Sequence, residues 1–219
     1  KKNKIFLLDC GCNYGFYSFY AASLSSQNLV IAIEASPTTA KDFEKNLKLN
    51  KFKNIALKNF AISNTDNITI TLNESKNDWE SSLAHSEFDK KKVTKIKTKK
   101  IDTIIKNKKL DDYTLLIKLD IEGHELQAIE GAKDTIKKYK PIIIIELSSY
   151  IFNKKNHAFD NLKSFLVKFN YSIYSIKKKL TNLEDIVLLI DNLDTKYKTI
   201  GNYYLISNEN TQNFKKWMI

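Results

Sequence analysis

The sequence predicts an α/β fold in which helices cover both faces of a doubly wound, mostly parallel sheet. Three observations carry this. Short apolar runs such as "LLIKLD" and "PIIIIEL" have the pattern of strands buried on both faces. Segments with helical spacing separate those runs, the alternation expected of α/β proteins. The first apolar run also stops at an acidic residue and breaks into a glycine-spaced turn, "LLDCGCNYGFYSFY", where such folds border a ligand crevice. The 219 residues, with only five glycines and two prolines, are enough for one well-buried domain and leave little room for linkers. One domain over residues 1–219 is therefore expected, with no internal repeat.

The elements follow in order. Ile5 to Cys10 reads as the first strand and Gly15 to Ser25 as a helix, with Phe16, Phe19 and Tyr20 on one side. "LVIAIE" (Leu29 to Glu34) is a second buried strand. Ser36-Pro37 then opens a helix with serine at the cap and proline in the first turn, and Ala40, Phe43 and Leu47 follow at helical spacing. A third strand is expected over Ile55 to Ala61. "ITITL" (Ile68 to Leu72) and "VTKIKTKKI" (Val93 to Ile101) alternate strictly, which predicts an inserted antiparallel pair around 68–100 with one wet face. The polar stretch between them holds Trp79 to His85, either a lid over an acceptor or an exposed loop. The α/β rhythm resumes with a strand at Leu115 to Asp120, a helix at Glu125 to Tyr139 and a strand at Pro141 to Leu147. A helix near Phe159 to Phe169 and strands near Tyr171 to Ile176 and Tyr203 to Ile206 complete the chain.

A net charge of +11 invites a nucleic-acid reading, but every basic residue is lysine. Without arginine the bidentate fork for guanine and phosphate is missing, so nucleic-acid binding is disfavoured. The charge fits a solvated surface and leaves room for an anionic acceptor. Cys10 and Cys12 are too close for an unstrained disulfide and lack zinc-ligand spacing, so they read as buried thiols in a reducing cytoplasm. No apolar run approaches the length of a membrane span, and the short one behind Lys4 ends at Asp9, so no secretory signal is expected.

The opening turn bears on the ligand. Its glycines are Gly11 and Gly15, with Asn13 between them, so it lacks the three-glycine run that lets a backbone approach a pyrophosphate. Asp9 would repel phosphate and favour an ammonium. Glu34, at the end of the second strand, stands where these folds receive ribose hydroxyls. An ammonium, a ribose and no phosphate together describe S-adenosylmethionine.

"LLDCGCNYGFYSF", "IAIEASP", "LKLN", "NFAIS", the "SSL" at Ser81 to Leu83, "IDTII", "IKLDIEGHELQAIEGA" and "PIIIIEL" resemble, in order, the blocks of FkbM-type methyltransferases. The resemblance covers about residues 5–147 and leaves 148–219 to complete the sheet and shape acceptor choice. It implies a class I, Rossmann-like fold whose seven-stranded sheet ends in an antiparallel strand. It also implies S-adenosylmethionine-dependent methyl transfer, commonly to oxygen on a sugar, glycan or related natural product. Carried onto this chain, Asp9, Gly11, Asn13 and Gly15 resemble the loop around the methionine part of the cofactor. Glu34, with Ala35 and Ser36, resembles the ribose site; Asn59, Ala61 and Ile62 resemble the adenine edge; Asp120 resembles the residue nearest the reacting methyl. Cys12 stands where the family often has alanine.

Asp120, His124 and Glu146 are the candidate catalytic residues. Asp120 is a base or an acceptor-positioning group. His124 has an ordinary pKa near neutrality but reads equally as a surface or helix-capping histidine. Glu146 is a carboxyl in an apolar run, facing the crevice or paired in the core. Asp120, Glu122 and Glu146 leave open an oxygen-ligand set for a divalent metal, which spacing does not establish. Two alternatives stand beside sugar O-methylation: N-methylation of a lipid or peptide product, and a nucleic-acid-binding methyltransferase-like protein.

Overall fold

The structure, a computed structural model, describes residues 4–75, 90–148, 158–175 and 200–211. Its main sheet is built from β1 (Lys4–Cys10), β2 (Leu29–Glu34), β3 (Ile55–Asn59), β7 (Tyr113–Leu119), β8 (Ile142–Ser148), β9 (Tyr171–Ser175) and β10 (Ile200–Ser207). Their spatial order is β3-β2-β1-β7-β8-β10-β9. Neighbours run parallel from β3 to β8, and β10 runs antiparallel to both β8 and β9. The chain leaves β1 toward β2 and β3, then returns to the other side of β1 as β7. That reversal makes the carboxyl ends of β1 and β7 the switch point, where doubly wound folds leave a crevice.

Strand alternation sends side chains to two cores. Leu8, Cys10, Ile33, Ile117, Leu119, Ile143 and Ile145 fill one face, where Leu162 and Phe165 of α6 (Ala158–Phe169) join them. Leu7, Val30, Ala32 and Ile55 fill the other, against Ala21 and Ala22 of α1 (Phe16–Leu24) and Phe43 of α2 (Pro37–Asn50). Ser36 caps α2 as its sequence signals predict, its hydroxyl accepting from Thr39 N at 3.2 Å with Pro37 at the first position. The expected antiparallel pair is present as β5 (Thr69–Ser75) and β6 (Lys90–Lys99). It joins β4 (Ala61–Ile62), parallel to β6, in a separate three-stranded sheet.

Several expectations are corrected. The third strand ends at Asn59, and Ala61 belongs to the smaller sheet. The strand expected to reach Ile101 stops at Lys99, and Ile101 opens the short helix α3 (Ile101–Ile105). In α1 the three aromatics do not share a side. Phe19 stacks on Phe43 and Phe52, while Phe16 and Tyr20 stay largely exposed, because small residues (Ser18, Ala21 and Ala22) form the buried face. The helix expected over Glu125 to Tyr139 is two, α4 (Glu125–Glu130) and α5 (Lys133–Tyr139). A Cβ on Gly131 would stand 2.3 Å from the Ser63 carbonyl, so the chain breaks where backbone meets backbone. Asp102 then caps α5, its two carboxylate oxygens accepting from Asp134 N and Thr135 N at 3.1 and 2.8 Å. The loop at Trp79 to His85 lies outside the described residues.

Candidate functional site

The turn after β1 is shaped by its neighbours. The amides of Gly11 and Cys12 both donate to the Ile33 carbonyl, pinning the turn to β2. Gly11 has φ +75° and lies so close to β7 that a Cβ would stand 1.8 Å from the Asp120 carbonyl oxygen. Only glycine allows that approach. Asn13 also takes a left-handed conformation, φ +48°, which asparagine tolerates better than most residues.

A cavity of about 360 Å³ opens over the carboxyl ends of β1, β2 and β7. Gly11, Asn13, Glu34, Ala35, Ala61, Asp120 and Glu146 all line it, so seven of the predicted site residues meet in one space. Ile62 does as well. Asp9, Gly15, Ser36, Asn59 and His124 are absent from the lining. Asp9 is wholly buried; its Oδ2 accepts from Ser18 Oγ at 2.6 Å and its Oδ1 has no hydrogen-bond partner among the described residues. Ser36 and Asn59 act through Glu34. The Asn59 amide donates to the Glu34 and Ala35 carbonyls at 2.7 and 3.1 Å, holding that corner of the backbone. Glu34 accepts from Asn13 N at 3.0 Å and from Ser36 N at 2.8 Å, so one carboxylate ties the β1 turn to the start of α2. Burial pushes its pKa above the ordinary value, against the pull of those backbone donors.

The other end of the cavity is acidic. Oxygens of Asp120, Glu122 and Glu146 lie within 4.8 Å of one another. Glu146 is pushed up to about 8 by burial first, then by the charges of Asp120, Glu122 and Glu125 and a hydrogen bond with Asp120. Three carboxylates are the donor type a hard divalent cation takes. The Lys118 ammonium, 2.7 Å from Asp120 Oδ2, is however already a cation in that cluster. Glu125 is fully buried and holds the loop together, accepting from Ile121 N and Gly123 N. His124 is lowered in pKa by burial, and its Nδ1 is buried without a partner among the described residues.

Sequence reasoning missed Lys118, Tyr17, Phe16 and Leu72 on the lining. Lys118 carried a readable signal, being the one charged residue inside "LLIKL", where only a paired charge survives burial. Tyr17 and Phe16 carried none, since helical spacing does not say which aromatics face a cavity. Both cysteines are free and buried, and burial pushes both thiols up in pKa. No helix among the described residues is long and apolar enough to cross a membrane.

Residues 9–173 match the family described as the methyltransferase FkbM domain. Among solved structures, methyltransferase FkbM from Methylobacillus flagellatus KT is similar over 92% of this chain and 43% of its own, with 20% identity and a TM-score of 0.58. This chain thus spans less than half the length of that protein. A precorrin-6y C5,15-methyltransferase from Geobacter metallireducens GS-15 has 15% identity, with 94% of this chain and 80% of that one covered and a TM-score of 0.44. M. jannaschii TYW2 in complex with AdoMet has 13% identity, covering 94% of this chain and 71% of that one at a TM-score of 0.44. No curated protein matches the chain.

Proposed function

The chain belongs to the FkbM methyltransferase family, and from that premise we propose that it transfers a methyl group from S-adenosylmethionine to a hydroxyl of a sugar, glycan or related natural-product intermediate. The observation that carries this reading is the convergence of Gly11, Asn13, Glu34 and Asp120 on one cavity at the switch point of the sheet. The residues present fit the cofactor. Asn13 Oδ1 is buried without a partner among the described residues, an acceptor suited to a ligand N–H or O–H. Glu34 offers its carboxylate to ribose hydroxyls, with Ala35 and Ala61 beside it as apolar wall. Ser36 and Asn59 hold that corner from behind through Glu34 and Ala35, whereas Gly15 and Asp9 stand off the lining.

When bound, S-adenosylmethionine supplies an electrophilic methyl carbon on a positively charged sulfur. The chain's own work is to align an acceptor oxygen with it and to take the hydroxyl proton. Asp120, paired with Lys118 and partly exposed to the cavity, is placed to receive that proton. Glu146, whose pKa is pushed up to about 8, shares the acidic end of the cavity with Asp120 and lines the space open to the acceptor. His124, off the cavity lining and made harder to protonate by burial, is left to a structural part in this reading.

The test is transfer of a radiolabelled methyl group from S-adenosylmethionine to a panel of free, phosphorylated and nucleotide-linked sugars. Base-stable label is expected in the sugar fraction, falling at least about a hundredfold in Asp120→Ala. Label in amine-bearing lipids or peptides alone, or transfer unchanged in Asp120→Ala, would overturn the reading.

A further inference from the structure

Lys118 is the one charged residue of the cavity lining that no expectation placed in the site. Its side chain is 4% exposed, yet it ends in a charge. Three groups account for that. The ammonium lies 2.7 Å from Asp120 Oδ2, it sits 4.8 Å from the centroid of the Tyr17 ring, and it feels the charge of buried Asp9, its register partner on β1. Burial works against the ammonium, but the charges of Asp120 and Asp9 outweigh it and leave the lysine above its ordinary pKa. A charge kept in the sheet at such desolvation cost is held by its partners, and those partners sit at the cavity.

We propose that Lys118 is a positioning residue: from the cavity floor its ammonium ties one oxygen of Asp120 in place beneath Tyr17 and leaves the rest of that carboxylate facing the cavity. Asp120 follows the last residue of β7, so the strand sets its backbone while Lys118 holds its side chain. Glu146 stands beside the same carboxylate, with oxygens of the two side chains within 4.8 Å. Lys118 is the cation in that cluster and holds Oδ2. Tyr17, 40% exposed and on the cavity lining, is drawn over the ammonium by the same charge. The chain thereby uses a buried charge for orientation, a role that an apolar residue of equal volume cannot fill.

The inference rests on the methyltransferase reading for its consequence in turnover, and its test has one arm that does not. In spectra of side-chain ammonium groups, Lys118 should exchange its hydrogens at least about tenfold more slowly than surface lysines, and Asp120→Asn should remove that protection. In turnover with the acceptor the labelled-methyl screen yields, Lys118→Met should lower kcat at least about thirtyfold while leaving the KM for S-adenosylmethionine within about threefold. Lys118→Arg, larger but charged, should retain more of kcat than Lys118→Met; a packing role predicts the reverse order. Should Lys118→Met not fold, Lys118→Gln replaces it, and the ammonium measurement on the wild type and Asp120→Asn decides alone. A rapidly exchanging ammonium, or wild-type kcat in Lys118→Met, would overturn the proposal. Failure of the methyltransferase reading looks different: S-adenosylhomocysteine then binds neither the wild type nor any variant, whatever the ammonium shows.

Discussion

Glu146 shows how far single residues were legible. A carboxyl inside "PIIIIEL" announced a special position, but the sequence left open whether it faced the crevice or sat paired in the core. The structure gives the first: Glu146 is partly exposed and lines the cavity beside Asp120. Its pKa, raised from 4.5 to about 8, makes a prediction with a definite sign. Between those values the folded protein holds a proton that the unfolded chain has released, so stability falls as pH rises through this window. Thermal unfolding from pH 5 to 8.5 should show that decline, and Glu146→Gln should flatten it; an unchanged slope in the variant would remove Glu146 as its source. Asp9 was harder to read. Its place at the end of a strand pointed to the cofactor's ammonium, whereas its side chain turns to Ser18 and the charge of Lys118. Which way a strand-end carboxylate turns depends on the helix above it, and the spacing of Asp9 alone carries no such information.

Elements were more legible than their breaks. Continuous apolar runs and the Ser36-Pro37 start signal located β2, β8 and α2 to within about a residue, because apolar runs and capping are local consequences of residue type. The expected burial of β8 on both faces is corrected: Ile143, Ile145 and Leu147 are buried, while Ile142, Ile144 and Glu146 are partly exposed. The division of α4 from α5 was not local. Nothing in "ELQAIEGAKDTIKKY" shows that Gly131 will meet the Ser63 backbone, a contact between segments distant in sequence. Gly131→Ala should therefore cost about 1–3 kcal/mol, the range for overpacking a filled space. Chemical denaturation measures it, and a variant as stable as the wild type would show that the two loops are free to separate. The same limit applies to α1, where helical period grouped three aromatics and small residues decided which of them faced inward.

At the scale of the whole molecule, the fold class and the switch-point crevice followed from the alternation of buried strands and helices, and the family resemblance added the antiparallel last strand. Charge was the misleading feature. The chain carries +11, yet the cavity is lined by Glu34, Asp120, Glu122 and Glu146 against Lys118 alone, so its ligand-facing interior opposes its surface. An acidic cavity inside a basic protein suits a cationic sulfonium nucleoside and disfavours phosphorylated ligands. Calorimetric titration with S-adenosylmethionine and S-adenosylhomocysteine tests this most directly. One site per chain is predicted, with affinity for both ligands weakened at least about tenfold in Glu34→Ala, the cost of losing a charged hydrogen-bonding partner. A folded protein that binds neither nucleoside, or that binds them equally well without Glu34, would contradict the account.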